Sequence, residues 1–257
     1  MDRLTLIKRL NAQLIKEMHW LEVVEVPDDL TEQRNLLRAL MNVRSPMTLD
    51  ENFLKLQDEL LTAEANERGI VKISDIPFVA ANIKIWRGDI TRLAADAIVN
   101  AANSKLLGCF VPLHGCIDNA IHSAAGLQLR EACAEIMAAQ EFKDELTGCA
   151  KITPAFNLPS KFVLHTVGPI IPTNRKPTPA EENRLASCYT ACLELAAENN
   201  LHSVAFCCIS TGEFHFPNRR AAEIAIAAVK KFLAAHDMEI IFNVFKEADE
   251  KIYRELI

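Results

Sequence analysis

Cys109, His114 and Cys116 lie within eight residues of one another, in the stretch NSKLLGCFVPLHGCIDNAIHSAAG that runs from Asn103 to Gly126. Thiolate and imidazole are the ligand types that zinc prefers, and three protein ligands leave a fourth position for water or substrate, as in catalytic zinc sites. Other readings of the trio remain open. The cysteines can be small core residues. A fourth protein ligand, Asp118 or His122, would close the site into a structural one. Or a metal there only stiffens the loop. The same stretch leads into a helix start at Asp118, where free backbone N–H groups and the helix dipole favour an anion. One short segment thus offers a metal site and a phosphate site.

Few other residues have the same promise. Asp89 follows a strand, where its carboxylate can accept a hydrogen bond from an exocyclic amine; a turn or helix cap is the alternative. Asn103 presents an amide that both donates and accepts without adding charge. Asp118 can orient or deprotonate water, or serve as an N-cap. The run Ser210-Thr211-Gly212-Glu213-Phe214 carries one glycine after an apolar strand, a loop whose N–H groups can wrap a diphosphate. Glu213 is unusual beside phosphates and points either to the metal side or outward. Asn100 is expected to satisfy local backbone groups. His122 and His165 sit in apolar runs and are expected to be buried, as are Cys207 and Cys208.

The composition narrows the classes. At 257 residues and 50% apolar, the chain builds a sizeable core, and its net charge of −6 without a basic block excludes broad electrostatic binding of nucleic acid. No apolar run of membrane-spanning length is present. The N-terminal stretch lacks a signal-peptide pattern, and the eight cysteines do not follow a secreted-domain spacing, so a cytoplasmic setting is expected. Only eight glycines are present; a phosphate loop here is not a glycine run.

The elements that must position these residues fall into two regions. In residues 1–75, Leu4, Ile7, Leu10, Leu14 and Met18 mark one amphipathic helix. Thr31 can cap a second, with Leu36, Leu37, Leu40 and Met41. Asp50 can cap a third, with Phe53, Leu56, Leu60 and Leu61, ended by Gly69. No chemistry is visible in this segment, and a structural or interface-forming extension packed on the remainder is expected. From residue 76, strands at 81–86, 97–99, 151–155, 162–166, 203–209 and 239–245 alternate with helices at 118–138, 181–199, 217–235 and 246–257. That alternation predicts an α/β fold with a largely parallel sheet, whose ligands bind beyond the C-terminal strand ends.

Five segments in this order carry a resemblance: Gly88–Thr91, Asp96–Ser104, Ile117–Gly126, Leu164–Pro169 and Cys208–Pro217. Together they resemble a macrodomain, the ADP-ribose-binding α/β fold, over about residues 80–257. The resemblance implies a three-layer α/β/α domain with a mostly parallel mixed sheet at 76–257, preceded by the helical extension at 1–75. Where many macrodomains carry glycines, this chain has Gly108 to Cys116, which resembles the zinc-containing branch. Members of that branch carry an N-terminal helical extension, and some are linked to sirtuin-type ADP-ribosyltransferases whose modification they remove.

By that resemblance, Cys109, His114 and Cys116 bind zinc. Asp89 reads the adenine amine with the Ile90 backbone beside it. Backbone N–H groups of the loops at 104–118, including Cys116 and Ile117, and at 210–214 hold the diphosphate, with Phe214 either near the ribose or in the core. Asn103 and Asp118 address the distal ribose. The implied activity is zinc-dependent hydrolysis of mono-ADP-ribose from protein side chains, the zinc polarising and positioning substrate. The rivals are a non-catalytic ADP-ribose reader with a structural zinc, and a zinc-stabilised protein-interaction module that binds no nucleotide.

Overall fold

The computed structural model describes residues 1–20 and 25–257. Three helices open the chain: α1 (Arg3–Glu17), α2 (Leu30–Val43) and α3 (Glu51–Arg68). Each has an aspartate N-cap, because a short carboxylate can accept the free N–H groups of a first turn and sits at the positive end of the helix dipole. Asp50 caps α3 through Phe53 N, and Gly69 with φ +80° ends it, both as expected. The cap of α2 is Asp29, which accepts from Thr31 N and Glu32 N; Thr31 itself lies inside the helix. The three helices form their own apolar cluster from Ile7, Leu10, Leu14, Leu37, Leu60 and others, and Leu127 of the following region joins it.

Two short parallel strands, β1 (Val71–Lys72) and β4 (Leu93–Ala94), pair beside the main sheet. That sheet has seven strands: β2 (Phe78–Ala80), β3 (Ile83–Arg87), β5 (Ala97–Ala101), β6 (Ala150–Pro154), β7 (Phe162–Thr166), β8 (Ser203–Phe206) and β9 (Glu239–Val244), in the order β2-β3-β9-β8-β5-β7-β6. The five central strands are parallel, and β2 and β6 close the two edges antiparallel. The sheet is therefore mixed and mostly parallel, as expected. The continuous burial of β5, β8 and β9 reflects coverage of both faces. Helices α4 (Ile117–Ala125) and α5 (Leu127–Ala139) cover one face, and α6 (Pro179–Glu198), α7 (Asn218–Leu233) and α8 (Glu247–Leu256) the other. Phe206, Phe242 and Ile241 are fully buried between the layers, each worth about 1.5–3 kcal/mol of apolar transfer.

Three expectations are corrected. The helix predicted over 118–138 is two helices, since Gly126 adopts φ +96° between α4 and α5. The strand predicted over 203–209 stops at Phe206, and the chain turns away toward the 210–214 loop. Asp118 is not an N-cap: Cys116 holds that position, its Sγ accepting from Asn119 N at 3.4 Å. Among the described residues, no helix is long and apolar enough to cross a membrane.

Candidate functional site

A cavity of 550 Å³ opens beyond the C-terminal ends of the parallel strands. Its floor comes from Ala101 at the end of β5, Cys207 and Cys208 after β8, and Asn243 of β9. Its walls hold Asp89 and Ile90, Cys116 and Ile117 at the start of α4, and the run 210–214. Nine of the expected ligand-binding residues therefore share one cavity: Asp89, Ile90, Cys116, Ile117, Ser210, Thr211, Gly212, Glu213 and Phe214. Asn103 and Asp118 do not line it. A larger hollow of 680 Å³ lies at the N-terminal strand ends, lined by Asp96, His202, Asp237 and Glu239, where parallel sheets do not place ligand sites.

Asp89 caps a short 3-10 turn, Ile90–Arg92, through Thr91 N at 3.0 Å and Thr91 Oγ1 at 2.7 Å. Its other oxygen pairs with Arg68 of α3 at 3.2 Å. The carboxylate is still partly exposed on the cavity side, so the cap and the ligand reading are compatible. Glu213 is mostly exposed and lies beside the trio: its Oε1 is 3.8 Å from His114 Nε2.

The thiol and imidazole trio is assembled. The ligand atoms of Cys109, His114 and Cys116 lie within 4.8 Å of one another, with Cys109 Sγ 3.7 Å from His114 Nδ1. No disulfide joins the two cysteines. Burial, with Cys109 and Asp118 nearby, pushes the Cys116 thiol up to about 12. Two crowded sulfurs resist ionisation unless a cation stands between them, and a coordinating metal deprotonates thiols outright. The residues present can hold a metal ion, and the Glu213 carboxylate stands 3.8 Å from the outer nitrogen of His114, beyond hydrogen-bond distance.

The loop bearing the trio is held from outside. Leu113 N donates to Asn42 Oδ1 at 3.0 Å, and His114 O accepts from Arg38 Nη2 at 3.1 Å; both partners belong to α2. Asn119 of α4 donates to Val111 O at 3.0 Å. Buried Arg130 of α5 donates to Leu107 O at 2.7 Å and to Met41 O and Arg44 O at the end of α2. Gly108, at φ +81°, is required where the loop passes His122, because a Cβ there would stand 2.9 Å from the imidazole.

Beneath the wall lies a buried polar network. Asn100 Nδ2 donates to Asp118 Oδ1 at 2.8 Å and approaches His165 Nδ1 at 3.2 Å. Asn103 Nδ2 donates to Asp118 Oδ2 at 3.2 Å and to Gly108 O at 3.1 Å. Asn100 thus serves side chains, not the local backbone groups expected. Burial raises the Asp118 carboxyl to about 6, with Asn100, Arg130 and Asn103 opposing it. His122 Nε2 lies 3.5 Å from Asp118 Oδ1. His122, Cys133 and His165 also cluster within 4.8 Å. Here hydrogen bonds win over metal ligation: the two amide hydrogens of Asn100 require a lone pair on His165 Nδ1, so Nε2 carries the proton and donates to Thr153 Oγ1 at 2.9 Å. His122 and His165 are buried as expected, as is Cys207; Cys208 is half-buried and reaches the cavity.

Arg38 also lines the cavity, so the N-terminal helices touch the pocket, a point the sequence leaves open. Its partners Asn119 and His114 lie about eighty residues further along the chain, beyond the reach of any local pattern.

Residues 99–225 match the macro domain family. The chain is 52% identical over 240 residues, covering 91% of both chains, to a protein of Treponema medium named protein-ADP-ribose hydrolase. It belongs to the macro domain family. Among solved structures it is similar to a Trypanosoma brucei macrodomain in complex with ADP-ribose, with a TM-score of 0.65 and 30% identity over 88% of this chain and 95% of that one. An Oceanobacillus iheyensis macrodomain with ADP matches at a TM-score of 0.61 and 41% identity, over 68% of this chain and 88% of that one.

Proposed function

We propose that this chain is a zinc-dependent protein-ADP-ribose hydrolase, which cleaves mono-ADP-ribose from modified protein side chains at the distal ribose. One observation carries the reading: Cys116 belongs at once to the metal trio and to the wall of the cavity that holds the expected nucleotide-binding residues. A metal bound there borders the ligand.

In this reading Asp89 accepts from the adenine amine, and the Ile90 backbone flanks it. The diphosphate lies between the first N–H groups of α4, where the helix dipole favours negative charge, and the 210–214 loop. Asn103 addresses the distal ribose. Asp118 is a positioning residue, because it stands behind the wall and its carboxylate fixes both Asn100 and Asn103. Cys109, His114 and Cys116 hold zinc, with the Glu213 carboxylate on the outer side of His114. Bound zinc supplies Lewis-acid polarisation of a substrate oxygen. The group removed is one that a sirtuin-type ADP-ribosyltransferase installs, which makes such a system the partner we propose.

The test compares wild type with Cys116→Ser in zinc per chain, ADP-ribose affinity and release of ADP-ribose from a mono-ADP-ribosylated protein. Loss of zinc together with loss of release is expected. A variant without zinc that retains full release and affinity refutes zinc-dependent hydrolysis. A second reading, a reader with a structural zinc, is favoured by the position of Asn103 and Asp118 off the cavity wall. Tight ADP-ribose binding by wild type without release from acidic, serine or arginine linkages decides for it.

A further inference from the structure

The guanidinium of Arg38 is oriented but not neutralised. Its Nε and Nη2 donate to Asn119 Oδ1 at 3.2 and 2.7 Å, and Nη2 also donates to His114 O at 3.1 Å. All three bonds go to uncharged acceptors. Among the described residues, no carboxylate forms an ion pair with Arg38, and its Nη1 donates to no protein acceptor. Its neighbours differ. Arg34 is bidentate with Glu64, at 2.6 and 2.8 Å. Arg44 pairs with Glu17 and Glu131, and Arg68 with Asp89. Arg38 is half-buried, with Arg34 and Cys116 nearby. A partly desolvated cation with no carboxylate paired to it favours the approach of an anion.

The place where an anion can arrive is the cavity. Arg38 lines it beside Gly115, Cys116 and Ile117, at the N-terminus of α4. Arg38 and the free N–H groups of the helix therefore border one volume, and Arg38 also borders a neighbouring hollow with Glu64, Glu67 and Asp89. An arginine fork suits phosphate oxygens in geometry as well as charge. Two neutral acceptors fix the plane of the fork before any ligand binds, which lowers the ordering cost of the contact.

We propose that Arg38 is a ligand-contacting residue, its Nη1 edge binding the diphosphate of the nucleotide, so that the N-terminal helices complete the site. The assignment rests on the ADP-ribose reading above. It extends that reading to a cation which no motif of the α/β region supplies.

The test is calorimetric titration of the zinc-loaded full chain with ADP-ribose and with adenosine, in wild type, Arg38→Gln and Arg38→Lys, at low and moderate salt. R38Q is expected to bind ADP-ribose about ten- to a hundredfold more weakly, the range for a charged hydrogen bond. Its adenosine affinity is expected to stay within about twofold of wild type, which also reports an intact fold. R38K keeps the charge without the fork, so part of the salt-sensitive affinity returns. The assignment is overturned if R38Q binds ADP-ribose like wild type, if adenosine binding falls equally, or if R38K is no better than R38Q. Failure of wild type to bind ADP-ribose is a different result, and it overturns the nucleotide reading itself.

Discussion

His165 offers a direct test of the buried network under the site. Asn100 Nδ2 lies between Asp118 Oδ1 and His165 Nδ1, at 2.8 and 3.2 Å, so the imidazole must stay neutral to accept. Burial holds its pKa at about 4 against an ordinary 6.5. In the unfolded chain the ring takes a proton below about pH 6.5; in the native state it does not until about pH 4. The neutral ring's contribution is therefore present in full above pH 6.5 and is lost as pH falls through that window. A gap of about 2.5 pH units at about 1.4 kcal/mol each sets the loss at about 3 kcal/mol. His165→Gln lacks the titration. Asp118, whose carboxyl is raised to about 6, works in the opposite direction, but both proteins carry it and the difference between them removes most of its effect. Urea unfolding of metal-free wild type and H165Q, at pH values stepped from about 7 to about 4, reads that difference. Wild type is expected to lose about 3 kcal/mol relative to H165Q. A difference constant within about 0.5 kcal/mol means that His165 is not held neutral, and the tautomer inferred for Asn100 and Thr153 fails with it.

Further outcomes follow from the same contacts. Gly108→Ala places a Cβ 2.9 Å from the His122 ring at φ +81°, and should cost about 1–3 kcal/mol by urea unfolding; unchanged stability contradicts the packing. Asn42→Ala leaves Leu113 N without its acceptor, so zinc should dissociate faster in a chelator competition, with stability lower by about 1–3 kcal/mol. Asp118→Asn puts an amide where Asn100 and Asn103 both donate; ADP-ribose release should fall about a hundredfold while ADP-ribose affinity, measured by titration, changes little. Cys133, Cys188, Cys192 and Cys207 are buried, and mass spectrometry after native alkylation should find modification at Cys109 and Cys116, once zinc is chelated, before any of these four.

The parts of the structure legible in the sequence are those set by near neighbours. Helical periodicity and the caps at Asp50 and Gly69 located the N-terminal helices, because those interactions span a turn or less. The competition between Asp29 and Thr31 was not legible: both can cap, and the carboxylate two residues earlier takes the N–H groups. Apolar spacing runs through Gly126 from Ile121 to Leu129 without a phase change, so the break there is visible only in the glycine's φ of +96°. Cys109, His114 and Cys116 were legible by spacing and ligand type. The role of Asn100 was not, since His165, 65 residues on, meets it only through the pairing of β5 with β7, and Asp118, 18 residues on, only through the packing of α4 on β5. Arg38, 81 residues from Asn119, is the extreme case.

The loop bearing the thiol and imidazole trio and the N-terminal helices belong to one solution. A loop that wraps a diphosphate needs backbone in unusual conformations, which glycine provides cheaply. In the run 104–116 only Gly108 has a positive φ as glycine, while Leu106 at φ 57° and Leu113 at φ 56° adopt the left-handed region with full side chains. Each such residue costs roughly 1–2 kcal/mol and persists only where its surroundings over-determine it. Leu106 is fully buried. Leu113 is exposed, but its N–H is fixed by Asn42 and the next carbonyl by Arg38, both on α2. Arg130 ties Leu107 to the end of the same helix. Loop shape is thus set by hydrogen bonds from α2, α4 and α5 and by a trio able to bind a metal, where a glycine run would set it by conformational freedom. Those fixed points also bring a guanidinium to the cavity edge, and so the helices that stiffen the loop supply charge to the site it encloses.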